Sequence, residues 1–339
     1  MNNRIPELDV VLSSRVRLAR NFSDIPFAPK MSDEDARKTI ARIVETIGTD
    51  REGTAFRLIR LCEMPQSQRE MLVEHHLISF DLLKYSQRAA ALISTNETLS
   101  VMVNEEDHIR IQGLLPGMQL ERAADMALHT DDILGSREPF AFDEKWGFLT
   151  CCPANTGTGM RASFLIHLPA LRMTGKLGAV VQAFGKIGLI IRGLYGDGNE
   201  ARGNLYLVSN QVTLGRSEED VIKSVMAPAA QLLNSERLLR RKLMDADADG
   251  LTDRVMRSNG ILQNARLMSE NEFMDRYSDI RLGACLGLLD YDPEKLDRLM
   301  MDMQPSSLSV LAGREMNERE LDLLRADELR VRLTEMEEK

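Results

Sequence analysis

Three consecutive carboxylates occur in Asn104-Glu105-Glu106-Asp107-His108, between two apolar runs, 99–103 and 109–114. Both runs alternate as half-buried strands do. Desolvating an unpaired charge is costly or shifts its pKa. The acidic run is therefore either a solvated turn or a place where the charges have partners. Arginines supply candidates: Arg15 and Arg17 in Ser13-Ser14-Arg15-Val16-Arg17, Arg110 just after the acidic run, Arg161 in Gly157-Thr-Gly-Met-Arg161, and Arg192 in Leu189-Ile-Ile-Arg-Gly193. Each interrupts apolar or glycine-rich sequence, and any one alone reads as a salt bridge. Together, in an acidic protein, they suggest a shared anionic ligand, because guanidinium groups bind phosphate oxygens in bidentate fashion. A triphosphate held by guanidinium groups, with carboxylates nearby, is a phosphoryl-transfer site built without a P-loop.

Composition narrows the partners. The chain has 339 residues and a formal net charge of −9, which argues against a broad nucleic-acid-binding surface and fits a basic target. No run approaches the ~20 apolar residues of a membrane span, and the N-terminus lacks the apolar core of a signal peptide. The cysteines Cys62, Cys151, Cys152 and Cys285 form no CxxC motif or disulfide framework, so a reducing, cytoplasmic compartment is expected. The histidines show no ligand spacing, and no metal site built by the protein is expected.

The elements that must position these residues follow from periodicity. Strands are expected at 10–20, 55–62, 89–95, 99–103, 109–114, 186–194 and 204–214. Helices are expected from Gln66 to Phe80, from about Gly117 to Leu134 and from Gly159 to Leu171. Ser217-Glu-Glu-Asp220 has the form of an N-cap with acidic residues that favour the helix dipole, opening a helix toward Leu243. Many strands in a mixed or antiparallel sheet with helices on one side make an α+β fold. Strand signals stop near residue 243, which divides the chain into a domain over 1–242 and an all-α domain over 243–339. The charge-dense stretch from Arg314 to Lys339 reads as an exposed helix.

Four motifs now carry a resemblance. Ser13-Ser-Arg-Val-Arg17, Asn104-Glu-Glu-Asp-His108, Cys152-Pro-Ala-Asn-Thr-Gly-Thr158 and Arg192-Gly-Leu-Tyr-Gly-Asp197 resemble, in order, the motifs of the ATP:guanido phosphotransferases, or phosphagen kinases. Arg257-Ser-Asn-Gly-Ile-Leu-Gln-Asn-Ala-Arg-Leu267 and Ser278-Asp-Ile-Arg-Leu-Gly283 resemble the C-terminal domain of the bacterial protein-arginine kinases in that family. The resemblance covers nearly the whole chain. It implies the phosphagen-kinase catalytic fold, a mainly antiparallel, glutamine-synthetase-like sheet, followed by the helical domain. It also implies ATP with Mg2+, and nucleotide phosphates clamped by Arg15, Arg17, Arg110, Arg161 and Arg192. Glu106, Cys152 and Asp197 would hold the substrate guanidinium. Implied partners are proteins with exposed arginine, an activator protein, a Clp ATPase of the stress response and a second copy of the chain.

Several features depart from the family pattern or lead elsewhere. Asp197 stands where the family has Glu, and Ala154 where it has a hydroxyl. Leu321-Asp322-Leu323-Leu324-Arg325-Ala326 aligns with an Arg-Asp-x-x-Arg-Ala motif that docks phosphoarginine, but its first Arg has become Leu. Two other readings stay open: a kinase for free arginine, which the short segment before Ser13 argues against, and a weakly active homologue serving as an adaptor. Gly157-Thr-Gly-Met-Arg-Ala162 matches a dinucleotide fingerprint but lacks parallel βαβ surroundings. Asp245-Ala-Asp-Ala-Asp-Gly250 starts like a calcium loop, yet its twelfth position is Met256, so an interdomain turn is expected.

Overall fold

The computed structural model describes residues 5–48, 55–194 and 201–337. Its centre is an eight-stranded sheet whose pairings are all antiparallel. The strands are β1 (Val11–Arg20), β2 (Phe56–Arg60), β3 (Ala90–Ser94), β4 (Leu99–Val103), β5 (Ile109–Pro116), β8 (Met160–His167), β9 (Leu189–Gly193) and β10 (Leu205–Asn210). They lie in the order β2-β3-β4-β5-β1-β8-β10-β9, and β6 (Phe142–Asp143) with β7 (Gly147–Phe148) forms a separate hairpin.

Alternation gives this sheet two unlike faces. Val16, Leu18, Ile109, Ile111, Ala162, Phe164, Ile166 and Ile191 point to one side, into the largest core cluster. Helices α1 (Asp33–Gly48), α3 (Leu120–Gly135) and α6 (Glu218–Ala246) contribute Ile43, Ala127 and Leu232 to that cluster. Phe164 is fully buried there, and truncating it to Ala would cost about 3–5 kcal/mol. The short helices α4 (Pro169–Met173) and α5 (Leu177–Lys186) bring Leu171 and Phe184 into the same cluster. Ser217 caps α6 through a reciprocal capping box with Asp220.

The opposite face is covered in two places. Near β2–β4, α2 (Gln66–Glu74) packs Leu72 with Leu77, Ile78, Ala91, Ile93 and Met102. Toward Leu12, Leu165 and Leu205 it is covered by the C-terminal helices: α7 (Ala248–Asn264), α8 (Glu270–Leu286), α9 (Pro293–Asp302), α10 (Pro305–Ala312) and α11 (Glu318–Glu337). Beyond residue 243 the described chain is helical, as its sequence suggests. Among the described residues, no helix is long and apolar enough to cross a membrane.

Three expectations need correction. Residues 159–171 are not a helix: Met160–His167 is a central strand, paired to both β1 and β10, and only 169–173 is helical. A short apolar run is ambiguous by periodicity alone, and two flanking strands decide it here. The helix begun at Gln66 stops at Glu74, because His76 takes a left-handed backbone at φ 60°. The terminal helix α11 is not merely an exposed one, since Arg325, Ala326, Leu329 and Leu333 are buried. The acidic stretch near residue 247 is a one-residue break at which Asp247 caps α7.

Candidate active site

All five arginines project from the same face of the sheet. Arg15 and Arg17 are two apart on β1, and Arg17 pairs with Arg161 on β8. Arg110 on β5 pairs with Ala19, which lies two residues beyond Arg17. Arg192 on β9 pairs with Leu207, which pairs with Leu165, four residues beyond Arg161. Strand alternation therefore aims every guanidinium away from the apolar core.

The field they create is unfavourable to their own charge. Burial, then Arg110, Arg192 and Arg161, pushes the pKa of Arg15 down to about 10. Burial, then Arg15, Arg110 and Arg161, holds Arg17 well below its ordinary value, with Glu105 alone opposing. Burial, Arg192 and Arg110 lower Arg161 as well, while Cys152 acts in the other direction. A guanidinium keeps its proton in proteins, so the field is relieved by a bound anion. The Nε atoms of Arg15 and Arg17 are buried without a hydrogen-bond partner.

The acidic loop is a tight turn between β4 and β5. Asn104, at φ 62°, donates from its side chain to the carbonyls of Ala36 and Arg88, both at 3.0 Å. Its carboxylates differ in fate. Glu105 is buried in an ion pair with Arg110; burial pushes its pKa up, against the pull of Arg110. Asp107 is also buried and accepts from Asn21 Nδ2 at 2.7 Å and from the Cys151 backbone N–H at 2.8 Å. Glu106, between them, remains partly exposed.

Asp107 thereby joins the acidic loop to the cysteine loop, where the Glu106 charge reaches Cys151. Cys152 is half-buried, and its carbonyl accepts from Thr150 Oγ1 at 2.7 Å. The loop is braced from behind by Thr213, whose hydroxyl donates to the carbonyls of Ala154 and Thr156. Gly157, at φ 115°, lies so close to the Thr213 carbonyl that a Cβ would meet it at 2.6 Å. Neighbouring Cys151 is held inert: burial, then Asp107, pushes its thiol up to about 12. Asp197 lies outside the described residues. Among those described, no group of three metal-ligating side chains occurs.

One residue escapes the motifs. His76, after α2, lines a small hollow with Ser13, Arg15, Leu114, Leu165, Leu194 and Leu207. Its carbonyl accepts from Gln112 Nε2 at 2.8 Å, and Gln112 pairs with Arg17 across β5 and β1. Burial, then Arg15, pushes the imidazole down to about 3, so it is neutral. The only sequence signal is the adjacent pair His75-His76, which helical spacing absorbs into α2. A larger cavity of about 590 Å³ continues from Ser13, His76 and Leu165 to Met300 and Met301 of α9.

Comparison with known proteins gives the family. The family "ATP:guanido phosphotransferase, C-terminal catalytic domain" matches residues 38–239, and "Protein-arginine kinase McsB C-terminal domain" matches 248–339. The protein-arginine kinase of Caldanaerobacter subterraneus subsp. tengcongensis is 44% identical over 97% of this chain and 98% of its own. That of Geobacillus thermodenitrificans is 43% identical over 100% of this chain and 94% of its own. A duplicated taurocyamine kinase from Schistosoma mansoni, solved with transition-state-analogue components, superposes with a TM-score of 0.61 at 29% identity. The match covers 68% of this chain and 34% of that one. Lombricine kinase shares the fold at TM-score 0.60 and 22% identity, over 70% of this chain and 68% of its own. The chain belongs to the ATP:guanido phosphotransferase family, a family of kinases. Within that family its whole length groups with the protein-arginine kinases.

Proposed function

We propose that this protein transfers the γ-phosphate of ATP to arginine side chains of other proteins. The observation that carries the reading is the single face on which five like charges converge, with Glu106 and Cys152 at its edge. Arg15, Arg17, Arg110, Arg161 and Arg192 hold the phosphates. Mg2+ enters as part of the nucleotide substrate. It favours phosphate oxygens and retained water over cages of protein ligands, so the nucleotide's own phosphates would hold it.

Glu106 pairs with the incoming guanidinium, orients one nitrogen in line with the γ-phosphorus, and accepts its proton as the N–P bond forms. The bond to the ADP oxygen breaks, and a phosphoramidate and ADP result. Cys152, beside Arg161, contacts the guanidinium from the other side. Asp197, on the chain after β9, is the second carboxylate; it is one methylene shorter than the family's Glu, so it acts over a shorter reach or at reduced activity. The catalytic unit is residues 1–242, and 243–339 serves dimerisation and target choice. By resemblance the protein acts in the cytoplasm in stress response, with an activator protein and a Clp ATPase as partners.

The test is transfer from γ-labelled ATP to an unfolded protein and, in parallel, to free arginine. Acid-labile phosphoarginine in the protein, exceeding that on the free amino acid, is expected. Label on free arginine alone would move the assignment to a metabolite kinase, and none on either would leave an adaptor.

A further inference from the structure

Helix α10 has no side-chain cap of its own at Gln304. Its cap comes from the catalytic domain. Glu74, the last residue of α2, accepts from the backbone N–H groups of Ser306 and Ser307, each at 2.8 Å, and from Ser307 Oγ at 2.7 Å. Glu70, one turn earlier, accepts from Ser306 Oγ at 3.1 Å. His75 Nε2 lies 3.2 Å from Ser307 Oγ and 3.8 Å from Asp302. A carboxylate taking two backbone N–H groups at a helix start is a charge-assisted contact aligned with the helix dipole.

The chain reverses immediately afterwards. His76 adopts φ 60° and lies beside Arg15, with its carbonyl fixed to Gln112. Three residues later Ser79 lies near Glu105, the partner of Arg110. Residues 74–79 thus touch the C-terminal domain at one end and two of the phosphate-facing arginines' neighbours at the other. From Glu74, whose carboxylate makes the cap, His76 is two residues along the backbone.

We infer that Glu74 is a positioning residue for the nucleotide: by capping α10 it fixes the end of α2 and holds His76 beside Arg15, so the seating of the C-terminal domain sets ATP affinity. This rests on the arginine face being the nucleotide site. Losing the carboxylate would release the end of α2 from α10 and let the turn, still bonded to α2 through His75, His76 and Leu77, shift His76 against Arg15, while Glu106 and Cys152, on other loops, keep their geometry. The effect belongs in nucleotide binding and not in the transfer step.

The test compares Glu74→Gln, which keeps the side chain's size, with Ser307→Ala, which weakens the cap from the other domain. For Glu74→Gln the KM for ATP should rise about 5- to 20-fold, equivalent to about 1–2 kcal/mol, with kcat within ~2-fold of wild type. Ser307→Ala should shift the same constant in the same direction, and the double variant should add less than the sum. Glu74→Asp should recover part of the loss. A lower melting temperature with an unchanged KM for ATP in either folded variant would make the cap merely structural and overturn the inference. Should Glu74→Gln fail to fold, Ser307→Ala decides alone. Arg17→Ala serves as the separate control: if it binds ATP as wild type does, the arginine face is not the nucleotide site and both readings fall. If it loses ATP while Glu74→Gln does not, only the role of Glu74 falls.

Discussion

Arg17 and Arg161 are direct cross-strand partners on β1 and β8, two like charges in register on one face. Side chains so placed have Cβ atoms about 4.5–5.5 Å apart, and like charges there oppose pairing. A fold that keeps this pair, with Arg15 and Arg110 beside it, gives up stability locally for a strong attraction to a polyanion. Stability and binding should therefore move in opposite directions when the cluster is thinned.

For Arg17→Ala, the ligand-free protein should be as stable as wild type or more so, by up to about 1 kcal/mol. Its KM for ATP should rise roughly 10- to 150-fold, the worth of a lost charge-assisted bond. Denaturant titration with and without nucleotide measures both. A variant that is less stable without ligand yet binds ATP normally would show that Arg17 serves the fold and that the arginine face is not the nucleotide site.

Glu106→Gln should leave ATP binding nearly intact and cut transfer by at least ~10²-fold, as for a group needed chiefly in the transition state. Glu105→Gln should behave differently, because Glu105 is committed to Arg110: it should weaken nucleotide binding as well. Turnover within a few-fold of wild type for Glu106→Gln would remove Glu106 from the substrate site.

Much of this was legible in the sequence, for a physical reason. Residues two apart on a strand share a face, so Arg15 and Arg17 had to act together once β1 was recognised. The acidic run had to be a turn, because the strands on either side read clearly. What the sequence could not show is strand order: Arg161 and Arg192 join the cluster only because β8 and β9 lie beyond β1 in the sheet. The same ignorance made Met160–His167 look helical. His76 was hidden because its role depends on α2 folding back over β4 and β5. The division of labour inside the acidic run was also invisible, since it depends on which carboxylates find Arg110, Asn21 and Cys151.

A pH dependence follows from His167, which is fully buried. Its Nδ1 faces Arg281 Nη1 at 3.4 Å, and its Nε2 lies 2.8 Å from Ser278 Oγ. A guanidinium only donates, so Nδ1 accepts and the proton sits on Nε2. Burial, then Arg281 and Arg240, holds its pKa well below 6.5. A depressed pKa means that the unfolded chain binds the proton and the folded one does not. The stability this group contributes is therefore complete above about pH 6.5 and is lost as pH falls below it. Between pH 6 and 5, His167→Asn should flatten the pH dependence of unfolding by close to one proton, about 1.4 kcal/mol per pH unit. An unchanged slope would mean that His167 takes its proton in the folded state.

The aligned phosphoarginine motif keeps Asp322 and Arg325 on α11, but Arg325 is almost completely buried. Its Nε donates to the Met303 carbonyl at 2.9 Å, and its Nη1 to the Met268 carbonyl at 2.8 Å and to Asp322 at 3.0 Å. Burial also lowers its pKa, against the pull of Asp322. The guanidinium is thus spent on tying α11 to the ends of α9 and of the 265–269 turn. A phosphoguanidine needs cationic donors for its phosphate, and position 321 supplies none: Leu321 packs against the helical core. Arg319, two positions away on the chain, leaves the helix at a different angle. The missing bond is worth roughly 1.5–3 kcal/mol, about 10- to 150-fold in affinity. Free phosphoarginine should therefore bind weakly and leave the kinase rate unchanged, while Leu321→Arg should gain binding if its longer side chain reaches past the core to solvent. Calorimetric titration of both proteins with phosphoarginine, alongside the transfer assay, measures this. Tight micromolar binding to the wild-type chain would show that a donor other than residue 321 completes the site.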